Sequence, residues 1–474
     1  MRITKLSIKK YKNLENFEWI LNPDYPVAVI VGKNGSGKTN LLEAIITIFQ
    51  DSQLYDHESK TKSLPKFEFE IEYLNLDDTI NIKNDGTLKI TKNGENVPLS
   101  QLENFRQDIS QGEDVLPKSI FVYYAGNTTR LAELTDKSIS AYKQTLIDIA
   151  NNKIERQSSP KQPLFYYDLL HHRAVFLTLM LSSLKNIQDD FLKDDLGIEN
   201  LVSVNVTVSR PNWKRGSSKE VLADIESFWD APIYLKRILE VFRGIAELEI
   251  QADSKETVFD IFGDVLKTEF AEFGNETDFF QQLSNLILAD YLTDVKIYFK
   301  KDGEILEFND LSEGEWQRIG IRGAMELFQG EETLFLLDEP DTFAHPSWQW
   351  EFVPDIEKTV GKDKENKSTQ VVFITHSPLV LSSTEKNAFF MEGGQINQFE
   401  ESFGRDANES LANMDVNSQM EEVVEEFRLY FSLIKDGKGE SRRALEEKER
   451  LEELYGLNHE KFDTARKLIA LYKK

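Results

Sequence analysis

The chain has 474 residues, of which 40% are hydrophobic and 11% aromatic, so it carries enough apolar material for a packed core. Its formal net charge of −26 creates a field that repels polyanions, so contact with nucleic acid would require a local basic patch or a partner. The lack of cysteine excludes disulfide bonds, thiolate metal sites and a cysteine nucleophile, and it fits a reducing compartment.

Segments that could enter a membrane are not apparent in the sequence. The N-terminal residues Met1–Lys5 are charged and lead into alternating residues rather than an apolar signal core. The longest apolar stretch lies around Ala174–Leu181, far short of the roughly 20 residues that span a bilayer. We therefore expect a cytoplasmic protein with no membrane contact.

The first fifty residues predict a β-hairpin followed by a strand and a helix. Alternating apolar residues near the start and a second strand-like run over Phe17–Leu21 indicate the hairpin. The short, entirely apolar segment Val27–Val31 is typical of a central strand that is buried on both faces of a parallel sheet. A glycine-rich turn and a helix over Thr39–Phe49 follow at once.

Residues 32–39 read GKNGSGKT, a complete P-loop motif between the predicted strand and helix. Its glycines let backbone N–H groups wrap phosphate oxygens, and the helix adds the positive end of its dipole. We predict that Lys38 reaches the β and γ phosphates of ATP and assists catalysis, and that the Thr39 hydroxyl ligates Mg²⁺. An ordinary glycine-rich turn is the alternative. The residues predicted to bind the nucleotide here are Gly32, Asn34, Gly35, Ser36, Gly37, Lys38, Thr39 and Asn40.

The middle of the chain predicts an antiparallel meander, one buried strand and a helical region. Alternation returns over residues 66–99, with turn signals at 84–86 and 93–94, and residues 119–125 indicate another buried strand. The pattern predicts that residues 138–292 are mainly helical, with helices over 165–191 and 219–248 and one strand over 201–210. No sustained heptad pattern occurs there, which argues against long coiled-coil arms.

Two carboxylates follow a strongly apolar strand in the last third of the chain. Leu334–Leu337 delivers Asp338 and Glu339 to the end of the strand, where open α/β sheets bind ligands. We predict that Asp338 holds Mg²⁺ through water and that Glu339 orients and deprotonates the attacking water. An acidic turn without catalytic function is the alternative.

A serine–glycine segment precedes this strand and begins a predicted helix. Leu311–Glu315 reads LSEGE and lies 19 residues before Leu334, since 334 − 315 = 19. The hydroxyl of Ser312, the backbone of Gly314 and the helix N-terminus could together bind an anion. By itself, the segment could equally be a simple helix cap.

Thr375–Pro378 follows a further buried strand, Val371–Ile374, and carries a single histidine, His376. A lone histidine at a strand end is more often structural than functional. Its position after the other motifs makes His376 a candidate for contact with a γ phosphate.

In this order, five segments resemble those of ABC-type ATPases of the RecF, SMC and OLD group. The resemblance implies that His376 contacts the γ phosphate and that Ser312 and Gly314 contact the γ phosphate held by another subunit. It also implies that Asp341 lies in a loop that contacts the other head. The five segments are Ile3–Leu14, the P-loop, Leu311–Glu315, Leu334–Pro340 and Thr375–Pro378.

More narrowly, three features resemble the ATPase subunit of bacterial Septu antiphage systems (PtuA) and related restriction- or retron-associated ATPases. These features are Phe121–Gly126, Phe403–Asn408 and the acidic helical tail. This resemblance implies an ATPase that controls a separate HNH-type nuclease subunit. Ala125 stands where that group carries serine, and Asn127 is a candidate for the glutamine that supplies the second protein ligand of the metal.

Two remaining clusters have simpler explanations. The neighbouring His171 and His172 project about 100° apart on a helix, and no second histidine cluster lies near them, so we assign them to the helical region rather than to a nuclease. Basic residues around Trp213, namely Arg210, Lys214 and Arg215, could bind nucleic acid or form a solvated loop.

The sequence predicts an α/β fold: an ABC-ATPase head with a P-loop core sheet and an antiparallel β subdomain, a mainly helical insertion and a helical C-terminal tail. The predicted boundaries place the halves of the head at 1–137 and 293–403, the insertion at 138–292 and the tail, which would dock a partner, at 404–474.

The predicted function is that of an ATP- and Mg²⁺-dependent ATPase in an antiphage complex. Pairs of heads would assemble on ATP into a homo-oligomer and control a separate nuclease. The alternatives are a repair ATPase that clamps DNA directly and, with less support because Glu339 is present, a scaffold that binds ATP without hydrolysing it.

Overall fold

The computed structural model describes residues 1–54, 65–99, 115–126, 128–151, 160–214, 226–253, 255–328, 332–361, 369–399, 402–404, 421–457 and 460–472. The chain forms two compact units, Met1–Gly404 and Arg405–Lys474, which are described separately.

The strands of the first unit fall into three sheets. In chain order they are β1 (Arg2–Tyr11), β2 (Leu14–Ile20), β3 (Val27–Val31), β4 (Phe69–Asn75), β5 (Asp78–Asn84), β6 (Leu88–Lys92), β7 (Glu95–Asn96), β8 (Ser119–Tyr124), β9 (Leu164–Tyr166), β10 (Ile198–Ser209), β11 (Leu248–Asp253), β12 (Glu256–Phe262), β13 (Leu292–Lys301), β14 (Glu304–Glu307), β15 (Thr333–Asp338), β16 (Thr369–Ile374), β17 (Ala388–Glu392) and β18 (Gln395–Gln398).

The helices of the two units follow in chain order. The α-helices are α1 (Lys38–Gln53), α2 (Arg130–Ala150), α3 (Leu169–Leu181), α4 (Ile233–Ile245), α5 (Gly263–Glu269), α6 (Glu276–Leu288), α7 (Glu313–Leu327), α8 (Pro346–Val360), α9 (Pro378–Ser382), α10 (Glu421–Lys435), α11 (Arg442–Tyr455) and α12 (Glu460–Tyr472). A π-helix covers Asn186–Asp195, and short 3-10 turns cover Phe270–Phe273 and Phe308–Asp310.

The central sheet has the strand order β18-β17-β3-β16-β15-β8-β9 and is parallel from β17 to β9. Every residue of β3, β15 and β16 is buried, which confirms the strands predicted from their continuous apolar runs. Because these three strands are parallel, the segments that follow them meet at one edge of the sheet. This edge therefore brings together the P-loop, the two carboxylates and the histidine loop.

An antiparallel sheet of order β2-β1-β4-β5-β6-β7 shares the hydrophobic core of α1 and the central sheet. The predicted meander is confirmed, including its turns. Asn93 and Gly94, between β6 and β7, both have positive φ angles (52° and 84°), which suit the Asn-Gly type of hairpin turn. With the central sheet, these elements confirm the α/β fold class.

The region predicted to be mainly helical contains more β structure than expected. A third, antiparallel sheet of order β11-β12-β10-β13-β14 takes three of its strands, β10, β11 and β12, from this region. The strand predicted over 201–210 is confirmed as β10, whereas β11 and β12 were not predicted. The helix expected over 165–191 is confirmed only in part, because residues 164–166 form β9, α3 ends at Leu181 and a separate π-helix begins at Asn186.

The helix predicted over 219–248 is also shorter than expected. Residues 227–230 form turns, Pro232 precedes α4, and the helix ends at Ile245 before β11 begins at Leu248. Residues 215–225 lie outside the described part of the chain. Proline suits the beginning of a helix but disrupts its interior, so Pro232 fixes where α4 starts.

The second unit consists, in its described part, of α10, α11 and α12. The predicted breaks near 437–439 and 456 are confirmed, and Gly437 and Gly456 have positive φ angles (73° and 80°) that end a helix readily. The three helices share a core formed by Phe427, Tyr430, Ile434, Ala444, Leu451, Phe462 and Ala465. None of the helices within the described residues of either unit is long and apolar enough to cross a membrane.

Candidate active site

The loop between β3 and α1 can adopt its shape only with glycine at particular positions. Gly37 has φ 110°, and a Cβ there would lie 2.7 Å from the side-chain nitrogen of Asn13. A Cβ on Gly32, with φ 155°, would lie 2.2 Å from the carbonyl oxygen of Met391. The glycines therefore allow the loop to pack between the β1–β2 turn, which carries Asn13, and β17, which carries Met391.

The side chains of the P-loop fit a bound phosphate chain. The ammonium of Lys38 donates to the carbonyl oxygens of Gly32 (2.7 Å) and Lys33 (3.2 Å), and burial lowers the pKa of Lys38, opposed by the charges of Asp338 and Glu339. Ser36 is buried, and its hydroxyl has no hydrogen-bond partner in the described structure. A buried hydroxyl without a partner is costly unless a ligand satisfies it. Lys38 and Ser36 would therefore hold the phosphates of ATP.

Thr39 and Asp338 form the candidate magnesium site. The Thr39 hydroxyl donates to Asp338 Oδ2 at 2.8 Å, and Asp338 is 1% exposed. Burial raises the pKa of Asp338 to about 6, against the lowering effect of the Thr39 hydrogen bond. These two oxygens suit Mg²⁺, which proteins commonly bind through one or two side chains together with substrate phosphates and water.

Replacing Asp338 with asparagine is expected to stabilise the free protein. Folding raises the pKa of this carboxyl from 3.8 to about 6, so its ionised form destabilises the fold at neutral pH. That cost declines as the pH falls below about 6 and is gone below the unfolded value. Asparagine keeps a hydrogen-bond acceptor for Thr39 without the charge. The free energy of unfolding near neutral pH should rise by about 1 to 3 kcal/mol. Urea unfolding without nucleotide, repeated at several pH values, measures this difference.

The control for this substitution is Asp85→Asn, because Asp85 is exposed and its pKa is lowered by hydrogen bonds from Lys89 and Thr87. It should change stability by no more than about 0.5 kcal/mol. A less stable Asp338→Asn protein at neutral pH would show that burial does not penalise the carboxylate. Burial also raises the pKa of Asp341, but this residue is present in both variants, so comparing them isolates the effect of Asp338.

Glu339 and His376 face each other beside the P-loop lysine. Glu339 Oε1 lies 3.6 Å from His376 Nε2, and both side chains are partly exposed. Burial and, to a smaller extent, the charge of Lys38 lower the pKa of His376, and this favours the neutral imidazole. Glu339 has φ 55°, a left-handed conformation that costs a non-glycine residue about 1 kcal/mol. This conformation turns its carboxylate toward the site and is the kind of strain found where function requires it.

Asp341, in the loop after Glu339, is tied to the histidine loop. Thr375 Oγ1 donates to Asp341 Oδ2 at 2.7 Å, and Asp341 is 4% exposed. Burial raises the pKa of Asp341 to about 6, although the Thr375 hydrogen bond acts in the opposite direction. The carboxylate therefore has a structural partner within its own head.

Ser312 and Gly314 lie at the start of α7. Ser312 is the N-cap, and Glu315 accepts from its backbone N–H (2.9 Å) and its hydroxyl (2.7 Å), so the two residues form a capping box. A Cβ on Gly314 would lie 3.1 Å from the carbonyl oxygen of Phe343. In the described residues no hydrogen bond connects Ser312 or Gly314 with the P-loop of the same chain. The structure thus brings the P-loop together with the carboxylates after β15 and with His376. Ser312 and Gly314 are not part of that group.

Asn13 is a residue near the nucleotide loop whose role the sequence pattern did not indicate. Its side-chain nitrogen donates to the carbonyl oxygen of Ser36 at 3.1 Å, and Asn40 donates to its side-chain oxygen at 2.6 Å. Gly394, between β17 and β18, donates its N–H to the same Ser36 carbonyl at 2.9 Å. These bonds brace the outer side of the P-loop, so Asn40 supports the loop through Asn13.

Arg130 was also not predicted, although it lies close to the candidate metal site. This first residue of α2 pairs with Glu43 and donates to the side-chain oxygen of Asn40, and its charge lowers the pKa of Asp338. Glu43 is also paired with Lys12 and accepts from the hydroxyl of Tyr11 at 3.2 Å. An arginine in the first turn opposes the helix dipole, which was the available signal for a special role. Asn127, which the sequence suggested as the second protein ligand of the metal, lies outside the described residues.

The two minor clusters have structural roles in the described chain. The His171 ring bonds Asp168 at 2.7 Å, and burial lowers the pKa of His172 to about 4. Trp213 donates to the carbonyl oxygen of Ala289 at 3.1 Å, and Lys214 donates to that of Asp230 at 3.1 Å. The basic cluster around Trp213 is therefore tied to neighbouring elements, while Arg215 lies outside the described residues.

One family model and several known proteins match this chain. A family model described as "AAA ATPase domain" matches residues 1–381. The DNA replication and repair protein RecF of Bacillus mycoides is 26% identical over 257 residues, which cover 53% of this chain and 60% of RecF. This chain thus spans less than two thirds of that relative.

A second relative matches over most of both chains. The retron Vc95 probable ATPase of Vibrio cholerae is 22% identical over 516 residues, covering 94% of this chain and 86% of that protein. Among solved structures, the SMC head domain from Thermotoga maritima aligns with 85% of this chain and 100% of its own at 14% identity, with a TM-score of 0.34.

Proposed function

Because the chain belongs to the AAA ATPase domain family, we propose that it hydrolyses ATP in composite sites, each completed by a second copy of the head. The observation that carries this proposal is the separation of the site residues. Lys38, Thr39, Asp338, Glu339 and His376 meet at one sheet edge, whereas Ser312 and Gly314 form their own capped helix start. The site of one head would be closed by the Ser312–Gly314 segment of the other.

Each residue of the edge has a chemical task in this proposal. Lys38 and the P-loop N–H groups bind the phosphates, and Mg²⁺ held by Thr39 and Asp338 would neutralise charge on the phosphate oxygens. Glu339 accepts a proton from the attacking water, and neutral His376, beside it, is able to donate a hydrogen bond to a phosphate oxygen. Ser312 and the N-terminus of α7 supply neutral donors from the second head.

The test is the dependence of ATP turnover on protein concentration. If two heads complete each site, turnover should rise more steeply than in proportion to concentration until dimers saturate. Strictly proportional turnover by a protein that is monomeric under the assay conditions would exclude composite sites. Sizing by light scattering in the same buffer establishes the oligomeric state at each concentration.

We further propose that the chain serves an antiphage complex and controls a separate nuclease effector, as in the Septu-like systems that it resembles. Support comes from the match to a retron-associated probable ATPase over 94% of this chain. The tail, a compact unit with its own core, is the proposed docking element. Loss of the γ phosphate would loosen the two heads and pass a signal to the effector.

Deleting residues 405–474 is expected to abolish co-purification of the effector while ATP turnover is kept. The deletion follows the boundary between the two units, so the head retains its own core. The experiment requires a candidate effector, for which we would take any HNH-type protein found encoded next to the ATPase gene and co-express it with full-length and shortened chains. Undiminished co-purification with the shortened chain would remove the docking role of the tail.

The RecF relative favours a second candidate, an ATPase that clamps DNA between two heads. This candidate predicts ATP-dependent DNA binding by the chain alone, with affinity that falls steeply as salt increases. The charge of −26 requires that such binding occur at a local cationic surface. Fluorescence anisotropy with duplex DNA, in the presence and absence of ATP, separates this candidate from the effector-control proposal.

A further inference from the structure

Gln349, in the first turn of α8, connects two loops of the candidate active site. Its side-chain nitrogen donates to the carbonyl oxygens of Asp341 (3.2 Å) and Ala344 (3.3 Å). Its side-chain oxygen accepts from the hydroxyl of Ser377 at 2.8 Å. Both ends of the amide are therefore used, one on each loop.

These loops carry the two groups that face each other at the site. Glu339 precedes Asp341 in one loop, and His376 precedes Ser377 in the other. The Glu339 and His376 side chains are 38% and 39% exposed, so close packing does not fix their ends. Their separation therefore depends on how firmly the two backbone segments are held together.

A second connection between the loops shows how the amide acts. Thr375 Oγ1 donates to Asp341 Oδ2 at 2.7 Å and accepts from the N–H of Ser377 at 2.8 Å. The Thr375 bonds hold the base of the two loops, while Gln349 holds their outer ends. Two attachment points fix a relative orientation that a single hydrogen bond leaves free.

Gln349 is not required to begin the helix in which it lies. The first turn of α8 already has Pro346 at a favourable position, and the side chain of His345 accepts from the N–H of Ser347 at 3.3 Å. The hydrogen bonds of the Gln349 side chain all go to residues outside its own helix, in the two loops. A purely local role in helix formation therefore does not explain them.

We propose that Gln349 is a positioning residue for ATP hydrolysis, whose amide holds the Glu339 loop and the His376 loop in register. The proposal rests on the ATPase function given above. Gln349 does not contact the P-loop through any hydrogen bond in the described structure, so it should affect the chemical step rather than nucleotide binding.

The test substitutes Gln349→Met in the full-length chain, which keeps the side-chain length and removes the donors and the acceptor. We expect kcat to fall about 10- to 100-fold, because small displacements of reacting groups are costly, with the KM for ATP changed by less than about twofold. The unfolding midpoint should stay close to that of the wild type. The matched control is Glu351→Gln, which changes an exposed residue two positions further along α8 and should leave kcat and KM unaltered.

Two further variants separate positioning from a general loss of structure. Gln349→Glu keeps the acceptor for Ser377 but loses both donors, and it should lower kcat in the same way even if the Met variant is less stable. Combining Gln349→Met with Ser377→Ala should lower kcat no further than Gln349→Met alone, since both changes break the link between the two side chains. Ser377→Ala also removes the cap of α9, where the hydroxyl accepts from the N–H groups of Leu379 and Val380, and the unfolding midpoint measures that separate loss of stability.

Wild-type kcat in both Gln349 variants would overturn the inference, as would a rise in KM with kcat intact. A fall in kcat that merely follows the fraction of unfolded protein would do the same. If the wild type itself does not hydrolyse ATP, the proposed function fails and this inference fails with it. Active wild type with fully active Gln349 variants removes the inference alone.

Discussion

Glu339→Gln is expected to lower kcat for ATP about 10²- to 10⁴-fold, because glutamine cannot accept the proton that the attacking water must lose. Nucleotide affinity should stay nearly unchanged, since Lys38, Ser36 and Thr39 supply the phosphate contacts. The variant should therefore accumulate as an ATP-bound dimer, detectable by light scattering as a doubled mass. Steady-state turnover and binding of a fluorescent ATP analogue measure the two effects separately.

The control is Glu304→Gln, an exposed glutamate on β14 in the third sheet, which should turn over ATP at the wild-type rate. Retention of more than about a tenth of wild-type kcat by Glu339→Gln would contradict the assignment of Glu339 as the general base. Another proton acceptor would then have to be sought in the loop after β15.

Ser312→Arg is expected to lower turnover about 10²-fold or more, as the loss of one transition-state donor already costs that much. The large side chain would also keep the second head from closing on the site. ATP affinity measured below the dimerisation range should be normal, because Ser312 makes no described contact with the P-loop of its own chain. The combination of normal binding and absent turnover is specific to a residue that acts on another subunit.

The helix cap must be separated from this effect, since losing the Ser312 cap costs about 1 kcal/mol. Ser312→Asp keeps a capping oxygen but loses the hydroxyl bond to Glu315 and places a negative charge where phosphate would approach. It should abolish turnover in a protein that still unfolds cooperatively, which the unfolding curve checks. Ser140→Arg, on the exposed side of α2, is the control for an added arginine. Full activity of Ser312→Asp would show that Ser312 only caps α7.

The sequence predicted most accurately the elements that are buried on both faces. The runs at Val27–Val31 and Leu334–Leu337 have a single compatible environment, and both are completely buried strands. The same reasoning failed around Phe165. That apolar run could be helix or strand, and its place at the edge of the central sheet, where Phe165 stacks on Phe121 at 4.5 Å, depends on a distant partner.

The hairpin of β11 and β12 was missed for a related reason. Leu248 and Ile250 alternate with polar residues but lie just beyond α4, so local charge and helix propensity dominated the interpretation. Pairing with β12, and of β12 with β10, decides the conformation through contacts that the sequence pattern does not specify.

The residues of the candidate site also fall into two groups, those that a local sequence signal predicts and those that only long-range contacts reveal. Motif residues such as Lys38 and Asp338 were predictable because glycine spacing and a strand end carry their signal locally. Asn13, Arg130 and Gln349 were not predicted, since their importance arises from hydrogen bonds to segments that are remote in sequence or that have no fixed spacing. Polar residues of this kind resemble ordinary surface residues until the fold places them.

The central claim, that each site is shared by two heads, is tested most directly by mixing two inactive proteins. Ser312→Arg heads keep an intact Glu339, and Glu339→Gln heads keep an intact Ser312, so a mixed pair contains one complete site. We predict that proteins mixed before ATP is added regain about a tenth to a quarter of wild-type turnover, as half of the pairs are mixed and each has one good site. Turnover no greater than the sum of the two proteins assayed separately would contradict composite sites.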